Sequence, residues 1–92
     1  MGDEGLANVR RLPDLEQLVL DSTQVTDTGL EHLDGLTALK ELQLDNTKVT
    51  DAGIARLAGL ERLEQLELRN TEVTERGVAD LRRALPGLHV QK

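Results

Sequence analysis

The sequence predicts an α/β solenoid, with a parallel sheet along one side and short helices along the other. Three observations predict it: a 24-residue internal repeat, an in–out–in apolar alternation in each copy, and a helix-start signature that follows at a fixed distance.

The repeat is read directly. Leu12-Pro13-Asp14-Leu15-Glu16-Gln17-Leu18-Val19-Leu20 returns as Leu36-Thr37-Ala38-Leu39-Lys40-Glu41-Leu42-Gln43-Leu44, and again as Leu60-Glu61-Arg62-Leu63-Glu64-Gln65-Leu66-Glu67-Leu68. Each copy continues with Thr, then Val-Thr-acid, then Gly: Thr23, Val25-Thr26-Asp27 and Gly29 in the first, Thr47, Val49-Thr50-Asp51 and Gly53 in the second, Thr71, Val73-Thr74-Glu75 and Gly77 in the third. An apolar pair closes each unit: Leu30/Leu33, Ile54/Leu57 and Val78/Leu81. Seven positions per repeat are apolar in all three copies, and Val19 is the one large apolar residue off that grid. A stacked core needs this segregation: one stripe inward on every coil, the rest in water.

The chain is expected to form one domain over 1–92. A helical half repeat occupies 1–11, full repeats occupy 12–35, 36–59 and 60–84, and a partial repeat occupies 85–92. In the half repeat, Asp3 and Gly5-Leu6…Val9 match Asp27 and Gly29-Leu30…Leu33. Leu85-Pro86-Gly87-Leu88-His89-Val90 opens a fourth unit after a one-residue insertion, with Leu88 and Val90 inward and His89 outward on a short last strand.

Within each element the residues have local reasons. Leu18-Val19-Leu20 alternates, so it reads as a strand; copies would stack as parallel strands about 4.8 Å apart. Thr26, Thr50 and Thr74 stand where helix N-caps belong. The acids after them suit the positive end of a helix dipole, and Arg10-Arg11 and Arg82-Arg83 suit the negative end. Gly35 and Gly59 fall just past a helix, where a left-handed residue is expected. Gly29, Gly53 and Gly77 lie inside the first turn, at roughly 1 kcal/mol against alanine, which implies close packing of helix on the neighbouring coil. A buried hydroxyl at Thr23, Thr47 or Thr71 must find a partner, expected on the backbone of the adjacent coil.

The pattern Leu-x-x-Leu-x-Leu-x-x-Thr-x-Val-Thr-Asp-x-Gly-Leu-x-x-Leu resembles leucine-rich repeats. In detail it is similar to the cysteine-containing class seen in F-box adaptor proteins, with Thr at the cysteine position, and to bacterial arrays that use threonine there. The resemblance covers nearly the whole chain. It implies a right-handed solenoid, a short horseshoe segment with the parallel sheet concave and the helices convex. The closing Ala84-Leu85-Pro86-Gly87-Leu88-His89-Val90 looks like the end segment of such bacterial arrays, implying a natural C-terminus. The family carries no fixed catalytic residues, and its members mostly bind other proteins, which is the function implied here.

Composition limits the alternatives. There is no Phe, Trp, Tyr or Cys, so the core must be Leu, Val, Ile and Ala, and neither disulfides nor cysteine-ligated metal can form. A net charge of −6 argues against a nucleic-acid partner, whose phosphates demand a basic surface. No signal peptide or membrane span is read, so a cytoplasmic location is expected if the chain is complete. No phosphate loop, dinucleotide fingerprint or zinc motif occurs. Ser22, the one serine, aligns with Asn46 and Asn70 and reads as a turn residue. His32 reads as a surface histidine and His89 as lying near the last strand; neither has a nucleophile partner. An enzyme is not expected, and neither is a cofactor.

The candidate site is the concave strand face: Gln17, Val19 and Asp21, then Glu41, Gln43 and Asp45, then Gln65, Glu67 and Arg69. Four acids against one arginine give the face a net charge of −3. It suits a protein or peptide with basic groups, with Val19 as an apolar contact. Strands present such side chains with little ordering penalty. Asp21 and Asp45 should be neighbours, but no further ligands accompany them, so they read as solvated acids and not a metal site. The alternative is a structural fragment or end segment of a longer array with no binding role of its own. It rests on the open first strand, which also allows weak edge-to-edge pairing beside a monomer.

Overall fold

Leu42 and Leu44 show why each coil forms. Both side chains are fully buried while Gln43 between them faces out, the pleated alternation that the sequence carries. The computed structural model describes residues 2–92. Strands β1 (Gln17–Val19), β2 (Glu41–Gln43), β3 (Gln65–Glu67) and β4 (His89–Gln91) form one parallel sheet in sequence order. Pairing keeps the 24-residue register, with Leu18 beside Leu42, Leu42 beside Leu66, and Leu66 beside Val90. Helices α1 (Asp3–Leu6), α2 (Asp27–Leu30), α3 (Asp51–Ile54) and α4 (Glu75–Ala84) lie behind the sheet.

The first three helices tighten into 3₁₀ turns over Ala7–Arg11, Glu31–Leu33 and Ala55–Gly59, whereas α4 stays α-helical for 10 residues. A 3₁₀ turn rises roughly 2.0 Å per residue against about 1.5 Å for an α-helix. The third copy carries one residue more and covers the span without stretching.

The leucine grid makes one continuous core. Leu33, Leu39, Leu57 and Leu66 are sealed, each contributing about 1.5–3 kcal/mol by burial. The first coil departs from the grid. Leu12 is 52% exposed, against 1% for its equivalents Leu36 and Leu60. Leu15 and Leu18 are only half-buried. Leu85 and Leu88 in the last coil are buried. The cover over these positions therefore comes from a preceding strand, and among the described residues none pairs with β1 on that side.

Adjacent coils are fastened by a recurring three-residue contact. Asp27 accepts the Thr50 amide N–H at 2.7 Å and the Thr50 hydroxyl at 2.5 Å. Asp3 does the same for Thr26, and Asp51 for Thr74. The carboxylate lies flat on the glycine three residues past the threonine. A Cβ on Gly53 would strike Asp27 Oδ1 and stand 2.7 Å from its Cγ, and Gly29 and Gly77 meet Asp3 and Asp51 in the same way. The close packing expected at these glycines is present, and its cause is a carboxylate. The acids thus do more than compensate a helix dipole.

Other positions differ from expectation. The sequence assigns Thr26, Thr50 and Thr74 to helix capping, and Thr23, Thr47 and Thr71 to a backbone partner on the adjacent coil; the structure divides these tasks otherwise. Thr23, Thr47 and Thr71 donate to Leu20, Leu44 and Leu68 carbonyls of their own coil at 2.7–2.8 Å, closing the turn after the strand. At the helix starts, Thr50 and Thr74 accept only long capping bonds, 3.3 and 3.4 Å, and Thr26 accepts none; the aspartate is the stronger partner. Gly35 and Gly59 are not left-handed, and no described glycine has positive φ. The 3₁₀ tails leave through Leu12 (φ −121°, ψ 63°) and Leu60 (φ −88°, ψ 77°), so no left-handed residue is needed there. The left-handed residues are Ser22, Asn46 and Asn70, at φ of 58°, 61° and 57° in the turn after each strand. Asn tolerates that region better than other side-chain-bearing residues.

Candidate partner-binding face

The sheet presents its outer side through residues that alternate with the buried leucines. Gln17, Glu41 and Gln65 form one column across β1, β2 and β3; Val19, Gln43 and Glu67 form the next. Asp21, Asp45 and Arg69 continue just past the strands, so all nine expected residues share one face. β4 extends the columns with His89 and Gln91, two positions that belong to the same surface.

Hydrogen bonds order this face. Glu41 Oε2 accepts from Gln17 Nε2 at 3.1 Å and from Gln43 Nε2 at 2.8 Å. Asp21 Oδ1 accepts the Asp45 amide N–H at 2.8 Å, and Asp45 Oδ1 accepts the Arg69 amide N–H at 2.7 Å. The two aspartates are therefore structural acceptors between coils as well as surface acids. No group of three or more metal-ligating side chains occurs among the described residues.

Arg69, the one cation of the nine, is paired within the face. Its Nη1 lies 3.1 Å from Glu67 Oε1 and 3.5 Å from Asp45 Oδ2, and its Nη2 donates to Gln91 Oε1 at 3.2 Å. Glu41 and Asp21 form no ion pair among the described residues. Loss of hydration raises the Glu67 carboxyl above its ordinary value; the charge of Asp45 acts in the same direction and Arg69 opposes it. Carboxylates crowded this way gain from an incoming cation.

Val19, 54% exposed, adds an apolar contact near the β1 edge. A shallow depression of about 250 Å³ at the start of the strands is lined by Glu16, Gln17, Lys40, Glu41, Glu64 and Gln65. A larger one, about 680 Å³, lies near the turns that lead into β3 and β4 and includes Lys40, Glu61, Arg62, Glu64 and Pro86. None of its lining residues is Ser, Cys or His. His89 is exposed on the last strand. His32 is half-buried and not a free surface group, with Nδ1 enclosed and without a hydrogen-bond partner among the described residues. No helix is long and apolar enough to cross a membrane among the described residues.

Neither protein-family models nor curated proteins match the sequence. Solved structures match the fold. A chain in a structure of the Chaetomium Mex67:Mtr2 subunits superposes with a TM-score of 0.76 at 15% identity, over 98% of this chain and 69% of that one. A leucine-rich-repeat protein of Leptospira interrogans superposes with a TM-score of 0.64 at 21% identity, over 94% of this chain and 27% of that one, so this chain spans about a quarter of its length. The architecture is that of an α/β leucine-rich-repeat solenoid segment.

Proposed function

We propose that this chain is a non-catalytic interaction module that binds a protein or peptide bearing basic groups through the outer sheet face. The observation that carries the reading is the charge arrangement: four carboxylates on one rigid face, with its single arginine already bonded to two of them. A partner lysine or arginine reaching Glu41 or Asp21 meets an acceptor that no cation of this face occupies. Val19 would supply the apolar contact. The repeat pattern resembles the cysteine-containing leucine-rich class with threonine at the cysteine position, whose members mostly bind other proteins, and this supports the same reading.

The test is fluorescence anisotropy with a peptide library graded in lysine and arginine content, against the chain and the triple variant Val19→Ala, Glu41→Lys, Glu67→Lys. Basic peptides should bind the parent chain, weaken with added salt, and lose binding to a variant whose circular dichroism is unchanged. Equal binding of acidic and basic peptides, or retention by the triple variant, rejects the reading.

A further inference from the structure

Arg69 lies on the outer sheet face among acceptors drawn from three coils. Its Nη1 is 3.1 Å from Glu67 Oε1 of its own coil and 3.5 Å from Asp45 Oδ2 of the preceding one. Its Nη2 donates to Gln91 Oε1 of the following coil at 3.2 Å. Adjacent parallel strands stand about 4.8 Å apart, so the backbones that carry Asp45 and Gln91 are roughly 10 Å apart. A planar guanidinium, with donors spread over two terminal nitrogens, spans acceptors placed in this way. A compact ammonium, with its donors on one atom, reaches fewer of them at once. The acceptors thus form a seat shaped for a guanidinium, and the chain's own arginine shows how that group lies in it.

The seat does not depend on the arginine side chain. Asp45 Oδ1 accepts the Arg69 backbone N–H at 2.7 Å, and the Arg69 carbonyl accepts the Asn46 N–H at 2.8 Å. Both bonds remain when the side chain turns away. Asp21 has the same support one coil earlier. Its Oδ1 accepts the Asp45 N–H at 2.8 Å, and it forms no ion pair among the described residues. An aspartate in this column therefore keeps its place without a cation.

The arginine itself is loosely held. Its side chain is 56% exposed, whereas those of Asp45 and Glu67 are 14% and 22% exposed. Its bonds are all longer than the 2.7–2.9 Å or so of a good charge-assisted hydrogen bond. Exposed pairs of this kind contribute little, because water screens them and a long side chain loses freedom in making them. An arginine of a bound peptide, already brought close by other contacts on the face, makes the same bonds at a high effective concentration.

We propose that Asp45, Glu67 and Gln91 form a guanidinium-selective subsite of the outer face, and that Arg69 occupies it as an internal competitor which a partner's arginine displaces. Resting on the binding role proposed above, the subsite adds a preference for arginine over lysine. Arg69 holds affinity below what the acceptors alone would give.

Fluorescence anisotropy tests this with labelled octapeptides of alternating glycine and arginine, or of alternating glycine and lysine. The 92-residue chain is compared with Arg69→Gln, Arg69→Lys and Arg82→Gln. Arg82 lies on α4, behind the sheet, so its replacement removes the same charge without touching the seat. The arginine peptide should bind Arg69→Gln about three- to ten-fold more tightly than the parent. Arg69→Lys keeps the charge but spans the acceptors less well, and should show a smaller gain in the same direction. Arg82→Gln should change affinity less than about two-fold, since its charge is distant and screened. Glu67→Gln added to Arg69→Gln should cancel the gain, and the parent should bind the arginine peptide more tightly than the lysine peptide. Circular dichroism should be unchanged throughout. Equal affinity of the parent and Arg69→Gln, an equal gain in Arg82→Gln, or lysine bound as tightly as arginine overturns the subsite and leaves the binding role of the face standing. Failure of both the parent and Arg69→Gln to bind the arginine peptide overturns the two together.

Discussion

Gly53→Ala is the substitution with the most closely defined outcome. In an ordinary helix it would gain about 1 kcal/mol from helix propensity. Here the new methyl group would strike Asp27 Oδ1, with Asp27 Cγ at 2.7 Å and the Asp27 Cα at 3.1 Å. The carboxylate cannot swing away without releasing the Thr50 N–H and hydroxyl, both held at 2.7 Å or less. Relief by moving the coil opens the core on both sides. Overpacking of about 1–3 kcal/mol and loss of a charge-assisted bond of about 1.5–3 kcal/mol oppose the propensity gain. The net expectation is destabilisation by about 2–4 kcal/mol, a large share of the stability of a small domain. Urea unfolding followed by far-ultraviolet circular dichroism measures it. Gly59→Ala is the control: nothing lies within 4 Å of its Cβ and its φ is not positive, so it should gain about 0.4–1 kcal/mol. The cycle with Asp27→Ala isolates the mechanism, since removing the carboxylate should erase most of the Gly53→Ala penalty and leave a coupling above about 1 kcal/mol. Gly53→Ala as stable as the parent, or a penalty unchanged in the Asp27→Ala background, would refute the carboxylate argument.

Ser22→Asn should stabilise by about 0.5–1 kcal/mol, because Ser22 sits at φ 58° where Asn46 and Asn70 occupy the other turns, and asparagine tolerates that region better; a neutral or destabilising result in thermal unfolding counts against it. Hydrogen bonds from the Thr74 hydroxyl and then the Thr74 amide hold Asp51 below its ordinary value, so its stabilisation is fully present above about pH 4 and is lost as pH falls through the lowered value. Asp51→Asn should therefore differ from the parent by a constant amount in urea midpoint at about pH 5–7, and the difference should shrink below about pH 4; a difference that persists undiminished into strong acid rejects the assignment.

The coil plan was legible because its signals repeat. Leu42, Leu44 and Gln43 could be assigned to faces from alternation alone, and three copies made the strand register unambiguous. The outer-face residues followed from the same alternation, which is why all nine lie together. Their state of bonding was not legible: that Arg69 spans Asp45, Glu67 and Gln91 depends on the reach of side chains across strands. Sequence alone assigns Asp27 and Asp51 to a helix dipole, because it shows the helix that an acid begins and not the coil it faces. A signal was nevertheless present, in the choice of Asp at 3, 27 and 51 and the longer Glu only at 75. Gly35 and Gly59 misled for a different reason: glycine after a helix suggests a left-handed cap, but a 3₁₀ tail ends without one. Leu12 shows the limit of periodicity, which marks a residue as core-facing without saying whether a neighbour is there to cover it.

The aspartate contact also has a direction. In every instance the acceptor belongs to the earlier coil and the donor to the later one: Asp3 before Thr26, Asp27 before Thr50, Asp51 before Thr74. During synthesis, which proceeds from the N-terminus, each threonine emerges to find its carboxylate already made. A new coil can lock onto a completed surface at once, without waiting for sequence still to come. The solenoid thereby lends itself to assembly as the ribosome delivers it, coil upon coil.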